Sequence, residues 1–227
     1  MAEGDFVQAK RVTNGVSASL ERRILVWMAS RMPEAVNSDH LTALGFVAMA
    51  GAGLCYWLAA SYHLALIGVI VCLAINWFGD SLDGTVARVR RQERPRYGFY
   101  VDHTLDMFGS LFLLGGLALS GFMTPLIALG LLVSYLMLTT EIYLATYCLA
   151  AFRLSFVRIG PTELRIILAI GTLALYVDPG VSVLGGRFRL FDAGAVIAIA
   201  GLAVALITAT VAHTIDLYRA ERLPAPK

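Results

Sequence analysis

The sequence predicts an all-α integral membrane protein, with six transmembrane helices preceded by an amphipathic helix in the membrane interface. Three observations predict it. The 227 residues are 58% hydrophobic and only 15% charged, with a mean hydropathy of +0.73, more apolar than a soluble domain of this size. Apolar runs recur six times at or near the roughly 20 residues that a spanning helix needs. The basic residues fall almost wholly into alternate connections between those runs.

The first 17 residues carry no apolar core, so no cleaved signal peptide is expected. In the segment Ser19–Val36, Leu20, Ile24, Leu25, Trp27, Met28 and Met32 can share one side of a helix. Glu21, Arg22 and Arg23 cluster elsewhere. The pattern suits a helix lying in the interface; an ordinary packing helix is the plainer reading. The spans then follow as Leu41–Ala60, Leu64–Arg91, Gly98–Gly121, Thr124–Phe152, the short Thr162–Val177, and Asp192–Arg219. Between the last two, "DPGVSVLGGRFRLFD" suits a hairpin or a re-entrant piece.

Of the 18 Lys and Arg residues, 16 fall on one side of this topology and two, Arg187 and Arg189, on the other. The positive-inside rule then puts both termini in the cytoplasm and favours an even number of spans. Without internal repeats the chain reads as one domain, 1–227, with an interfacial segment 1–36 and a membrane bundle 41–219. Cys55, Cys72 and Cys148 lie in apolar runs at no metal-like spacing and read as small hydrophobes. No nucleic-acid partner is expected.

The segment "GDSLDGTVARVRRQERPRYGFYVDHTLD", 79–106, interrupts the apolar pattern with four aspartates. Asp80 and Asp83 are three apart near the cytoplasmic end of span two, and Asp102 and Asp106 four apart near the start of span three. Each pair shares a helix face. The short link makes the two helices antiparallel neighbours, so the acidic faces can meet. Ionised carboxylates in a membrane are costly and mark function. Gathered together they repel, and the physical remedy is a hard divalent cation held by their oxygens. Two such ions form a clamp for phosphoryl chemistry. Gly84 and Gly98 lie one turn from the aspartates and let a ligand approach the backbone. Ala87 is the next small residue on that side of span two. Arg88 can neutralise a diphosphate. Salt bridging of the aspartates to Arg88, Arg90 and Arg91 is the bland alternative; it leaves the glycines unexplained.

At these residues the chain resembles the CDP-alcohol phosphotransferase family, whose motif reads D-x-x-D-G-x-x-A-R, a link, then G-x-x-x-D-x-x-x-D. Asp80, Asp83, Gly84, Ala87, Arg88, Gly98, Asp102 and Asp106 fill all eight positions across a nine-residue link. The resemblance implies attack by an alcohol on a CDP-linked donor with release of CMP, in phospholipid biosynthesis. It implies two Mg2+ or Mn2+ ions, the first held by Asp80, Asp83 and Asp102 and the second by Asp83, Asp102 and Asp106. It also implies Asp106 as general base, and CDP contacts from Gly84, Ala87, Arg88 and Gly98. The implied donor is CDP-diacylglycerol; CDP-choline or CDP-ethanolamine acting on a lipid alcohol is the alternative. A homodimer is implied as well. Family members often carry a hydroxyl residue where Pro95 stands, so that contact is lost or passes to Arg94 or Arg96.

The acceptor pocket is expected at Glu141, at comparable depth to Asp80 and Asp83, and at Arg153 and Arg158 near the cytoplasmic exit of span four. Glu141 would meet a cationic or polyhydroxyl group and the arginines an acceptor phosphate. The alternatives are a hydrogen bond to a neighbouring helix for Glu141 and lipid head groups for the arginines. His103 points away from the acidic face and reads as packing or as a hydrogen-bond donor. Thr162 reads as a helix cap. Rival functions are an aspartate-rich intramembrane prenyltransferase, which would release pyrophosphate, a divalent-cation transporter, which would need no nucleotide, and a family member that has lost activity.

Overall fold

The computed structural model describes residues 18–149, 161–183 and 185–221. Among them run α1 (Ala18–Arg31), α2 (Ser38–Ala59), α3 (Ala65–Val89), α4 (Pro95–Leu119), α5 (Pro125–Leu149), α6 (Pro161–Val177), β1 (Gly180–Val183), β2 (Gly186–Arg189) and α7 (Leu190–Ala220). One helix, α2 to α7 in order, occupies each expected span. Four of them, α2, α3, α5 and α7, are long and apolar enough to cross a membrane. The expectation of six is met only in part. α4 has 25 residues, but its first half carries Arg96, Asp102, His103 and Asp106, and α6 has 17 residues. Pro95 explains why α4 begins three residues before Gly98: proline at the first helical position gives up only an N–H that has no helical partner.

The segment between α6 and α7 is a hairpin. β1 and β2 pair antiparallel, Gly180 opposite Arg189 and Val183 opposite Gly186, with Gly185 in the turn at φ +83°.

α2 organises the bundle. It packs on both α3 and α4, whereas α3 and α4 scarcely approach each other along their backbones. Their acidic side chains nonetheless converge, as the spacing of the aspartates predicts. The close packing of α2 rests on small residues. A Cβ at Gly79 would stand 2.6 Å from the Leu41 carbonyl oxygen, and one at Gly116 only 1.9 Å from that of Gly53. Without side chains there, the backbones touch, which is how helices gain contact where lipid supplies no hydrophobic drive. The main apolar cluster lies around α2, including Tyr56, Leu66, Val69, Leu117 and Phe191. Its polar atoms are satisfied: the Tyr56 hydroxyl meets Thr172 Oγ1 of α6 at 2.6 Å.

α1 divides its faces. Leu25, Met28, Ala29 and Met32 pack against Leu41, Leu82 and Val86, while Ile24 and Trp27 stay exposed. Glu21 is turned inward rather than grouped with the polar face. Its Oε1 accepts from Trp77 Nε1 at 3.2 Å and from Thr162 Oγ1 at 2.9 Å, joining α1 to α3 and α6. Thr162 is therefore a tie between helices. Arg90 fixes the segment that follows α1 by donating to the carbonyls of Met32, Pro33 and Val36 at 2.6–2.9 Å. The three cysteines are free, and Cys148 is exposed rather than buried.

Candidate functional site

The four aspartates arrive on two helices. α3 presents Asn76, Asp80 and Asp83 along one stripe, and α4 presents Asp102, Asp106 and Ser110, each a turn apart. One carboxylate oxygen each from Asp80, Asp102 and Asp106 lies within 4.8 Å of the others. Asp83 is outside that triad but lines the same cavity, as do Thr42, Gly45 and Met49 of α2. Asp83 is nearly buried, at 9% exposure. Its Oδ2 accepts from Thr42 Oγ1 at 2.7 Å and its Oδ1 from the Gly84 N–H.

Arg88 folds back along its own helix. Nη2 donates to Thr85 Oγ1 at 3.1 Å, and the guanidinium lies over Gly84, where a Cβ would meet Nη1 at 3.3 Å. A larger residue at 84 would lift the arginine away. A Cβ at Gly98 would meet no atom of the described residues within 4 Å. Between these points the chain leaves α3 through a Schellman turn. Arg91, at φ 55°, donates its N–H to Arg88 O, and Gln92 to Ala87 O at 2.9 Å. Arg94, a candidate donor, is paired with Asp39 and lies over the Tyr97 ring at 4.2 Å.

Further groups beside the carboxylates come from residues that the sequence did not single out, and of these Asn76 lines the cavity. Arg165 of α6 donates Nη2 to Asp80 Oδ2 at 2.6 Å and Nε to Asn76 Oδ1 at 2.7 Å; Asn76 Nδ2 donates to Gly45 O at 2.9 Å. Asn76 could have been found by extending the Asp80 face one turn back. Arg165 had no local signal, because its partner is 85 residues away. On α5, Tyr135 shares a hydrogen bond with Ser110 and stands within electrostatic reach of Asp106 and Asp80. Tyr143, two turns on, stands within reach of Asp106 and Asp102. α5 thus turns a tyrosine face, not Glu141, toward the carboxylates.

Glu141 points elsewhere. Its Oε1 meets His213 Nδ1 of α7 at 2.6 Å, and its Oε2 is buried with no hydrogen-bond partner among the described residues. It does not line the carboxylate cavity. Arg153 and Arg158 lie outside the described residues. His103 packs as expected, its ring stacked on Phe99 at 4.2 Å and near Tyr143 at 5.0 Å, with Nδ1 3.6 Å from Asp102 Oδ2.

Three carboxylates converging from two helices, a fourth in the same cavity and an arginine over a glycine can hold a divalent cation and meet an anionic ligand. Compared with known proteins, the chain matches no family model and no curated protein.

Proposed function

We propose that this chain is a membrane-embedded CDP-alcohol phosphotransferase. It would transfer a substituted phosphate from CDP-diacylglycerol to an alcohol and release CMP. In this reading α4 and α6 also cross the bilayer, both termini are cytoplasmic and the carboxylate cavity opens to the cytoplasm. The observation that carries it is the convergence of Asp80, Asp102 and Asp106 from separate halves of the motif to within 4.8 Å, with Asp83 in the same cavity. Salt bridging alone does not call for that convergence, nor for a glycine beneath Arg88 and a Gly98 whose Cβ would meet no described atom within 4 Å.

The donor set fits Mg2+ or Mn2+. It is all oxygen, the donor type that these hard cations take, with one oxygen from each of three carboxylates within 4.8 Å of the others. Asp80, Asp102 and Asp106, with Asp83, would hold one or two ions. When bound, the metal would neutralise the diphosphate and the charge that develops on departing CMP.

The chain's own groups account for the rest. Arg88, raised over Gly84, offers two donors to a diphosphate oxygen. Asp106 takes the proton of the acceptor hydroxyl as its oxygen forms a bond to the β-phosphorus. The bond from that phosphorus to the CMP oxygen breaks, CMP leaves as the anion, and the proton passes from Asp106 to water. The apolar walls at Phe46 and Met49 limit competing water.

The test is CMP release by purified protein. CDP-diacylglycerol, CDP-choline and CDP-ethanolamine are each offered with mixed alcohol acceptors, with and without Mg2+ or Mn2+. CMP should appear from CDP-diacylglycerol only with metal, and Asp106→Asn should lower its release by at least about 100-fold while Mn2+ still binds. Near-normal turnover by Asp106→Asn would remove the general-base assignment. No CMP from any donor, with pyrophosphate release or nucleotide-independent metal flux instead, would sink the proposal.

A further inference from the structure

We propose that Arg165 is a built-in counter-cation of the carboxylate site, which a divalent ion must out-compete at Asp80, so that α6 sets how tightly the site takes metal. The proposal rests on the metal-dependent reading above.

The placement of Arg165 is specific. Its side chain is 11% exposed. Nη2 holds Asp80 Oδ2 at 2.6 Å, and Nε holds Asn76 Oδ1 at 2.7 Å. Asn76 is itself anchored on the Gly45 carbonyl at 2.9 Å. A guanidinium stays charged at any accessible pH, and its fork is stiff. The chain Gly45–Asn76–Arg165–Asp80 therefore fixes a permanent positive charge against one of the three carboxylates that converge. It crosses three helices, α2, α3 and α6, and only Asp80 in it belongs to the eight-residue motif.

Such a charge has two effects on a metal ion. It occupies an oxygen of Asp80 that the ion would otherwise use. It also repels the ion from a few ångströms away, an interaction that is strong where water is scarce. Both weaken metal binding to the free protein. In return the guanidinium makes several neighbouring carboxylates tolerable in the metal-free state, when nothing else on α6 would offset them. A role confined to pinning α6 on α3 predicts something different: loss of Arg165 would loosen the fold and leave metal affinity equal or weaker.

The experiment is a Mn2+ titration of the full chain in detergent, read as loss of the free-Mn2+ electron paramagnetic resonance signal, without nucleotide. Arg165→Gln keeps hydrogen-bonding capacity and removes the charge. It should bind Mn2+ at least ten-fold more tightly than wild type. Arg165→Lys keeps the charge and should stay within three-fold of wild type. Unchanged or weaker binding by Arg165→Gln would overturn the proposal. If that variant does not fold, Arg165→Met, which also removes the charge, decides: a ten-fold gain in affinity supports the proposal, and unchanged or weaker binding refutes it. Absence of Mn2+ binding from wild type and both variants would remove the metal-dependent reading itself. Binding that is present but indifferent to residue 165 would remove only the role of Arg165.

Discussion

Gly115 and Gly116 are adjacent on α4, and the structure assigns them opposite sensitivities. An alanine Cβ at 116 would sit 1.9 Å from the Gly53 carbonyl oxygen and 2.6 Å from the Gly53 Cα, both backbone atoms that no rotamer change can move aside. Ordinary contact begins near 3.4 Å, so α2 and α4 would have to part by about 1.5 Å. Overpacking a core by one methyl typically costs about 1–3 kcal/mol. A backbone-on-backbone overlap belongs at or above the top of that range, so Gly116→Ala should lose about 3 kcal/mol or more. At Gly115 a Cβ meets nothing within 4 Å. Alanine there should be neutral or gain up to about 1 kcal/mol from helix propensity. The assay is equilibrium unfolding of the two variants in the same detergent, followed by circular dichroism. Gly116→Ala should also weaken Mn2+ binding, because moving α4 off α2 moves Asp102 and Asp106 relative to Asp80. Equal stability of the two variants would refute the close α2–α4 crossing.

Arg91 holds a left-handed φ of 55° at the end of α3, a conformation that costs a residue with a Cβ about 1 kcal/mol. Arg91→Gly should therefore raise the unfolding free energy by about 1 kcal/mol, and a loss on chemical denaturation would show that its side chain has a role of its own. Glu21→Ala removes the acceptor shared by Trp77 and Thr162; at about 1–3 kcal/mol for hydrogen bonds to a charged group, protease cleavage within α1 should speed up while α3 stays protected. Asp178 lies outside the spans, and its carboxyl is held below the usual carboxylate range, first by the Gly180 N–H and then by Arg187. A depressed folded-state value contributes stability that is complete above the unfolded value, near 3.9, and is lost as pH falls through the folded value. Hairpin protection from amide exchange, corrected for intrinsic rates, should stay level from pH 7 to 5 and fall below about pH 4, and Asp178→Asn should remove that dependence.

The parts legible in the sequence were those carried by local periodicity. Six apolar runs gave six helices in the right order, and the spacing of Asp80, Asp83, Asp102 and Asp106 gave two acidic faces that do converge. Contacts between distant segments carry no periodic signal. Glu141 illustrates this: its depth in α5 was readable, but its rotation about the helix axis depends on which neighbours α5 packs against. α7 took it, through His213, and the tyrosines at 135 and 143 faced the carboxylates instead. Arg165 looked like one more cytoplasmic-side basic residue until α6 laid it on Asp80. Glu21 likewise read as part of a polar surface and proved to join three helices.

The division of labour within the bundle follows from the same contacts. If α3 and α4 packed directly on each other, their acidic faces would be pressed together with no room for an ion or a diphosphate. α2 prevents this by offering each helix a glycine-lined face, Gly45 toward Gly79 of α3 and Gly53 toward Gly116 of α4. The two motif helices are then held at a distance set by α2, and the gap between them becomes the cavity. α2 also lines that cavity with Thr42, Gly45 and Met49, and Thr42 orients Asp83 at 2.7 Å. The proposed ligands thus lie on α3 and α4, while their spacing is set by a helix that carries none of the motif. On the metal-dependent reading, Gly53→Ala, whose Cβ would stand 2.1 Å from the Phe112 carbonyl oxygen, should therefore impair metal binding although Gly53 does not line the cavity.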